Sequence, residues 1–341
     1  MTREIDVQAI EPGQEVEIDL MRPEDAPGVA ALFKAIYGEG YPVKTYYHPD
    51  QLMEANRTGH IISSVARTPK GDIVGHNALF HHVPHPKVYE SGAGLVLPAY
   101  RRGDIFDRMV THGVKEGAPI FGVEVIFGEP VCNHIFSQLL TNHQGWTTMA
   151  LEVELMPAAA YDKEKSAQGR VSTILDFVTL VSRPHQVFLP PRYRRQLEFL
   201  YAALDDEREL AQADQPLPNA PTRLNSEVFA SAQVARMALH EAGEDLESVL
   251  ESAEQEAAGQ GVVVFQVWLP LEPWCGRAVE LLRRRGYFLG GLLPRWFDHD
   301  GILMQKLAAS PSWEKINLHF ERAKEILALV RQDWESLPKG S

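Results

Sequence analysis

The sequence lacks the features that define several common protein classes. Its 341 residues include only two cysteines, Cys132 and Cys275, too few for a disulfide scaffold, and no Cys/His cluster has zinc spacing. No run of about 18 apolar residues occurs, so we expect no transmembrane helix. The first residues do not have the pattern of a signal peptide. These absences predict a cytoplasmic protein with reduced thiols.

The chain also lacks an excess of basic residues. It has 33 Lys and Arg against 46 Asp and Glu, which gives a formal net charge of −13. This balance argues against nucleic acid or an anionic membrane as the main partner. Hydrophobic residues make up 45% and charged residues 23%, as is normal for a soluble globular protein. The length suits one large domain or two ordinary ones.

Hydrophobic periodicity predicts a mixed α/β order in the first half of the chain. Short turns join the three middle strands, which we therefore expect to be antiparallel, whereas the strand–turn–helix–strand that follows should be parallel. Such a change of direction leaves a cleft in the sheet. The predicted strands are 16–21, 60–67, 72–83, 88–97, 120–127 and 146–156, and the predicted helices start at 23, 50, 105 and 133.

The turn after the fourth strand is the most informative stretch. An apolar run ends at Pro98, a basic turn follows with Arg101, Arg102 and Gly103, and a helix begins at Ile105. Backbone N–H groups and the positive end of the helix dipole suit an anion such as a phosphate. An ordinary strand-to-helix connection with solvated arginines is the alternative.

Residues 15–157 resemble the GNAT family of acyl-CoA N-acyltransferases. The resemblance rests on the element order, the hairpin 68–75 and the run Leu95-Val96-Leu97-Pro98-Ala99-Tyr100-Arg101. It implies acetyl-CoA as co-substrate, with backbone amides of the fourth strand and of the loop holding it. The residues that the resemblance implies for acetyl-CoA binding are Val96, Leu97, Arg101, Arg102, Gly103, Asp104, Ile105, Phe106 and Asn133.

The sequence departs from the family pattern at three positions. Asp104 and Phe106 stand where the family has loop glycines, and Leu140 stands where a tyrosine general acid is usual. Two hypotheses therefore stay open. The first is an N-acyltransferase that acetylates an amine of a small molecule or peptide. The second is a GNAT-derived binding or regulatory module without turnover.

Three glutamates are candidates to accept the proton of the acceptor amine, directly or through water: Glu90, Glu124 and Glu129. A histidine cluster, His76, His81, His82 and His85, could instead line the acceptor pocket. Period-two alternation divides these histidines between two faces of a hairpin, so we expect no metal site.

The second half repeats features of the first. Glu129-Pro130-Val131-Cys132 recurs as Glu272-Pro273-Trp274-Cys275, and the two cysteines lie 143 residues apart. Gly145-Trp146 likewise recurs as Gly286-Tyr287. These matches predict an α/β fold (an α+β mixed sheet) with two tandem GNAT-like domains. The predicted ranges are 15–158 for acyl-CoA binding, 165–308 for a degenerate second domain and 309–341 for a long C-terminal helix. An unrelated C-terminal domain is the alternative.

The last segment carries an apolar stripe. From Trp313 to Leu337 the apolar side chains recur at spacings of three and four, which predicts a helix starting at Ser310-Pro311. This helix could dock onto its own domain or form a homodimer contact. Residues 205–224, acidic and then proline-rich, predict a surface linker. The segment from Val228 to Leu239 predicts a single strand.

Overall fold

The computed structural model describes residues 7–101, 103–157 and 169–338. The chain divides into two compact units, Met1–Phe127 and Gly128–Ser341.

The first unit contains a sheet of strands that follow one another in chain order. They are β1 (Glu17–Leu20), β2 (Ile61–Arg67), β3 (Ile73–Phe80), β4 (Val88–Val96) and β5 (Val125–Gly128). β1 to β4 pair antiparallel, and β4 pairs with β5 in parallel. The predicted change from antiparallel to parallel pairing after the fourth strand is confirmed.

Helices cover this sheet. They are α1 (Ala26–Tyr37), α2 (Pro49–Arg57), α3 (Ile105–His112), which continues as a π-helix (Gly113–Gly117), and α4 (Ala118–Ile120). α1 buries Val29, Leu32 and Phe33 and ends at Gly38, whose φ of 61° suits glycine. The predicted strand 120–127 starts only at Val125, because α4 and a turn at Gly122, with φ 66°, precede it.

The second unit has a longer sheet and a separate strand pair. Its strands are β6 (Thr147–Pro157), β7 (Arg170–Thr179), β8 (His185–Leu189), β9 (Arg208–Gln212), β10 (Arg223–Phe229), β11 (Val234–Glu241), β12 (Val264–Pro270), β13 (Phe288–Leu293) and β14 (Gly301–Leu307). The sheet order is β7-β6-β13-β14-β12-β11-β10, in which only β11 and β12 are parallel. β8 and β9 pair in parallel outside this sheet. Its helices are α5 (Phe136–His143), α6 (Arg194–Tyr201), α7 (Leu246–Gly259), α8 (Cys275–Arg284) and α9 (Glu321–Glu335).

Two predictions for the second unit were wrong. The strand expected over 228–239 is the hairpin β10–β11, whose turn spans 230–233 and ends at Gln233, a residue with φ 57°. The linker expected over 205–224 contains β9, because pairing with β8 supplies backbone hydrogen bonds that composition does not reveal.

The order of elements in the second half matches that in the first. β11 leads through α7 to the parallel strand β12, then α8, and β14 lies beside β12. In the first half β4 leads through α3 to the parallel strand β5. Val131, which follows β5, then pairs antiparallel with Thr173 of β7. α5 and α8 also end alike: Trp146 N–H donates to Thr141 O at 2.9 Å, and Tyr287 N–H donates to Leu282 O at 3.0 Å. This repetition supports the tandem prediction, whose domain ranges stay a prediction.

The C-terminal helix starts later than predicted. Its first residue is Glu321, because the backbone of Asn317 is bonded to Cys132 O at 2.8 Å and to Gln138 Nε2 at 2.8 Å and so cannot enter the helix. α9 packs on β6 and β13 of its own unit and buries Ala323, Ile326 and Val330.

Candidate functional site

One edge of β4 is open over most of its length. The parallel pairing with β5 covers only Val88, Tyr89 and Glu90, whereas β4 continues to Val96. Among the described residues of the first unit, no strand pairs with 91–96 on that side. The structure thus leaves 91–96 of β4 without a strand partner on this side, at the point where the sequence predicted a cleft.

At the end of β4, the backbone groups of Val96 and Leu97 face opposite sides of the strand. Leu97 N–H donates to Val74 O at 2.8 Å, and Val96 lies opposite Gly75. Because antiparallel pairs alternate, the Val96 amide and carbonyl point away from β3, toward the open side. Arg101 Nε donates to the Val96 carbonyl at 3.0 Å. The prediction that the Leu97 amide holds a ligand is therefore corrected, since Val74 already occupies it.

A bulge interrupts β4 at Ala93, whose φ of 49° is unusual for a residue with a side chain. His76 Nδ1 lies 2.9 Å from Ala93 O, and His76 Nε2 lies 3.0 Å from Ser63 Oγ. A carbonyl only accepts, so Nδ1 carries the proton. Complete burial lowers the pKa of His76 to about 4, which keeps the ring neutral. His76 therefore holds the bulge in place and does not line a pocket.

The loop after β4 leads into α3 as predicted. Ile105 and Phe106 begin the helix, so their N–H groups have no partner within it. Asp104 Oδ1 lies 3.8 Å from Arg108 Nη1, so the carboxylate is directed toward the next turn of α3. Arg101 and Gly103 are exposed. Arg102, also predicted to bind here, lies outside the described residues.

Phe106 turns toward the sheet. A Cβ atom on Gly94 would lie 2.5 Å from the Cζ atom of the Phe106 ring and 3.1 Å from Asn77 Oδ1. The ring thus covers β4 at Gly94 and leaves the loop amides uncovered. Phe106 is unusually large for the family at this position, and its ring fits because Gly94 on the neighbouring strand has no side chain.

A carboxylate–imidazole pair lies at the point where β4 leaves β5. Glu90 is the last β4 residue in the parallel pairing, opposite Phe127, and its Oε2 lies 2.7 Å from His82 Nε2. Both side chains are partly exposed, and the His82 ring stacks on Phe80 at 5.5 Å. Tyr41 is near: burial, the Tyr37 charge and the Glu90 charge raise its pKa. Glu90 and His82 were separate candidates in the sequence, and only the folded chain pairs them.

Glu124 lies at the other end of the strands. It precedes β5, is buried, and accepts a bond of 2.7 Å from Lys87 Nζ at the start of β4. The open part of β4 begins at the opposite, carboxyl end of these strands. The structure therefore does not bring Glu124 to Glu90.

Glu129 and Asn133 belong to the second unit. Glu129 Oε1 accepts a bond of 2.9 Å from Arg236 Nη2, which also lies 3.2 Å from Glu152 Oε1. Burial, with the Glu129 charge next, raises the pKa of Glu152 to about 7. Glu129 is thus already bonded to an arginine within the second unit, whereas Glu90 lies where the unpaired part of β4 begins. Asn133 lies in the turn before α5.

Among the residues that the structure describes, no group of three or more His, Cys, Asp or Glu side chains is placed to hold a metal ion. In the same part of the chain, none of the helices has both the length and the apolar character to cross a membrane.

Comparison with known proteins gives matches by structure alone. No family model matches the sequence, and no curated protein does. Similar solved structures include a ribosomal-protein-alanine N-acetyltransferase from Brucella melitensis (18% identity, 48% of this chain and 99% of that one, TM-score 0.38). A spermidine N-acetyltransferase from Vibrio cholerae, described as dodecameric, is 10% identical, and the match covers 48% of this chain and 94% of that one with a TM-score of 0.38. The protein yncA from Salmonella typhimurium, a putative acetyltransferase solved with acetyl-CoA, is 14% identical, and the match covers 49% of this chain and 95% of that one with a TM-score of 0.40.

These solved structures are of acetyltransferases, and each is similar to about half of this chain.

Proposed function

We propose that the chain is an N-acyltransferase that transfers an acetyl group from acetyl-CoA to an amine. One observation carries this proposal: the open edge of β4 begins at the Glu90–His82 pair and ends at the loop before α3. A thioester at one end and a pyrophosphate at the other could then lie along a single strand.

The acetyl-CoA would be held mainly by backbone. The outward amide of Val96 suits a pantetheine carbonyl, and the first-turn amides of Ile105 and Phe106 suit the pyrophosphate. Arg101 is exposed and hydrogen-bonded to the Val96 carbonyl, and it adds positive charge beside these amides. Gly103 and Asp104 contribute backbone only.

The reaction would be direct transfer. The neutral amine nitrogen attacks the thioester carbon, the new C–N bond forms, and the C–S bond breaks to release CoA as a thiolate. Glu90 accepts the proton that the amine nitrogen loses, and a proton from solvent neutralises the thiolate. His82 holds the Glu90 carboxylate at 2.7 Å and is a positioning residue.

The acceptor is expected to be a primary amine of a small molecule or peptide. An ammonium group would be attracted to Glu90 and to the nearby ring of Tyr41 before it loses its proton to solvent. Tyr41 is partly buried, and its ring lies 5.0 Å from that of Phe33 and 5.7 Å from that of Tyr46, both of which are buried.

A binding or regulatory module without turnover is the second candidate. The Leu97 amide, which the resemblance implies as a ligand contact, is used by Val74, and Leu140 replaces the usual tyrosine acid. The missing tyrosine acid would lower turnover more than binding.

We further propose a tandem pair of GNAT-like domains and a cytoplasmic location, in which the free, buried Cys132 and Cys275 stay reduced. A homodimer through α9 would have to use a face other than the one buried on β6 and β13.

Two measurements test the proposed function. Calorimetry with acetyl-CoA and CoA should show one site per chain, and thiol release from acetyl-CoA should depend on an added primary amine. No binding at about 1 mM ligand would overturn both candidate functions. Binding without amine-dependent thiol release across a broad panel of amines would favour the inactive module.

A further inference from the structure

The last strand of the second unit's sheet, β10, has one edge to which no strand of the described residues pairs. Val264 of β12 lies opposite Val234 of β11, and its N–H donates to Gln233 O at 3.2 Å. Because backbone groups alternate in direction along a strand, Gln233 points to β12 and Val234 points to β10, where it pairs with Phe229. Counting back from Phe229, every second residue bonds to β11, and the residues between them point to the open edge: Leu224, Ser226 and Val228.

This edge lacks the features that commonly block an exposed strand, which are proline, lysine and short length. β10 has seven residues, none of which is proline or lysine. Its register shift lies between Arg223 and Leu224 and so affects only its first residue. No described residue bonds to the outward N–H and C=O groups. The edge is therefore able to pair with a further strand.

The side chains of the outward residues lie on the same face of the sheet as α7. Glu254 of α7 accepts a bond of 3.0 Å from Lys306 Nζ on β14. Lys306 lies opposite Phe265 of β12, which lies opposite Ala235 of β11. Ala235 in turn lies opposite Val228 of β10. Residues directly opposite each other on neighbouring strands project to one face, so the outward residues of β10 project to the α7 side.

α7 supplies apolar side chains beside this edge. Glu254 faces β14, so the residues on the other flank of the helix face β10, on which α7 packs. The half-buried apolar side chains at this junction are Val249 and Ala253 of α7 and Leu224 and Val228 of β10. An added strand would place alternate side chains against these four. The junction therefore favours a segment with an apolar residue at every second position.

The charge on both faces of the edge is negative. Glu227 of β10, on the face away from α7, and Glu256 of α7 are exposed, and neither is paired with a cation of the described residues. Arg223, the only basic residue of β10, lies 3.2 Å from Glu241. α7 contains four glutamates and no basic residue. A second copy of this chain on the same edge would bring two such helices together, whereas a basic segment would be attracted.

We propose that β10 is a docking edge for an extended, basic peptide segment of another protein, which adds to the sheet as a strand antiparallel to β10. The backbone of the segment bonds to Leu224, Ser226 and Val228. Its apolar side chains contact Val249 and Ala253, and its Lys or Arg side chains lie on the opposite face, beside Glu227. The acetyl-CoA site takes no part in this interaction.

Fluorescence anisotropy on the full chain tests this with a short labelled peptide in which Lys and Val alternate. We expect saturable one-to-one binding with Kd on the order of 100 μM. Two control peptides should bind at least about tenfold more weakly. The first has N-methyl groups on its valines, which remove the N–H groups that face β10 and keep every side chain. The second has Glu in place of Lys, which Glu227 and Glu256 repel.

Ser226→Pro should also weaken binding of the Lys–Val peptide at least about tenfold, because it removes an outward N–H and places a ring at the edge. The outward N–H of Ser226 makes no bond to β11, so the substitution keeps the pairing of β10. The matched control is Ser226→Ala, which keeps the backbone N–H and should bind as the unmodified chain does.

Three results would overturn the proposal: no saturable binding up to about 2 mM peptide, unchanged affinity in Ser226→Pro, or equal affinity for either control peptide. A mass that doubles with concentration, and that Ser226→Pro reduces, would identify a second copy as the occupant and overturn it too. Should Ser226→Pro fail to fold, the N-methylated peptide decides, because it leaves the protein unchanged. Failure of acetyl-CoA binding would leave these results unaffected, since β10 is not part of that site.

Discussion

The ring of Phe106 lies directly over Gly94. Even a methyl group on Gly94 would lie 2.5 Å from the Cζ atom of that ring, closer than any real carbon contact. The large side chain at the start of α3 and the missing side chain on β4 therefore compensate for each other, and α3 can pack close to the strand that leads into the loop.

Gly94→Ala should destabilise the protein by about 1–3 kcal/mol, because the ring or the helix must move to make room. Chemical denaturation measures this, and acetyl-CoA affinity should fall with it. The control is Gly259→Ala in α7, where no atom outside the local helix lies within 4 Å of the added methyl group. Equal stability of both variants would contradict the close packing.

Glu90→Gln should lower kcat by about 10²- to 10⁴-fold with little change in acetyl-CoA affinity, because the amide cannot accept the amine proton. Steady-state thiol release with a primary amine measures both parameters. Glu116→Gln, an exposed glutamate in the same unit, should have no effect. An unchanged kcat in the Glu90 variant would remove it as the base.

Arg101→Ala should weaken acetyl-CoA binding by about tenfold, because a positive charge beside the loop amides is lost. Calorimetry is the measurement. Arg57→Ala, an exposed arginine paired with Glu54, is the matched control. If both variants bind as tightly as the unmodified chain, the cofactor site has been placed wrongly.

The unmodified chain should lose stability relative to Glu152→Gln as pH rises from about 4.5 to about 7, by on the order of 1–3 kcal/mol. The pKa of Glu152 is raised to about 7 in the folded chain, mainly by burial, so the folded state holds this proton more tightly than the unfolded state does. The stabilisation by protonated Glu152 is therefore fully present at pH values below the pKa of the unfolded state, and it is lost as the pH rises through the pKa of the folded state. Urea unfolding at pH 5 and pH 8 measures the difference, and a variant that leaves the slope unchanged would refute it.

Ile326→Ala in α9 should destabilise the second unit by about 2–5 kcal/mol, because its side chain is buried. Leu327→Ala, at a half-buried neighbour, should cost less. Sedimentation should give a mass that does not change with concentration. A mass that doubles with concentration and is reduced by either substitution would instead identify α9 as a dimer contact.

The sequence determined which elements form and where the chemistry is concentrated. Periodicity and turn residues fixed the strands around β2 to β4 and the helix after Asp104, because these patterns depend on neighbouring residues. The recurrence of Glu-Pro-x-Cys pointed to the repeated element order. The resemblance to GNAT acyltransferases also followed from short runs alone.

Only the tertiary structure decided which groups meet. The pairing of Glu90 with His82, the occupied amide of Leu97 and the face that α9 buries depend on register, bulges and packing between distant segments. The same is true of a cavity around His185 and His299, which brings together the segments 183–188, 271–272 and 295–299. Local patterns carry no information on such contacts, because long-range packing selects them.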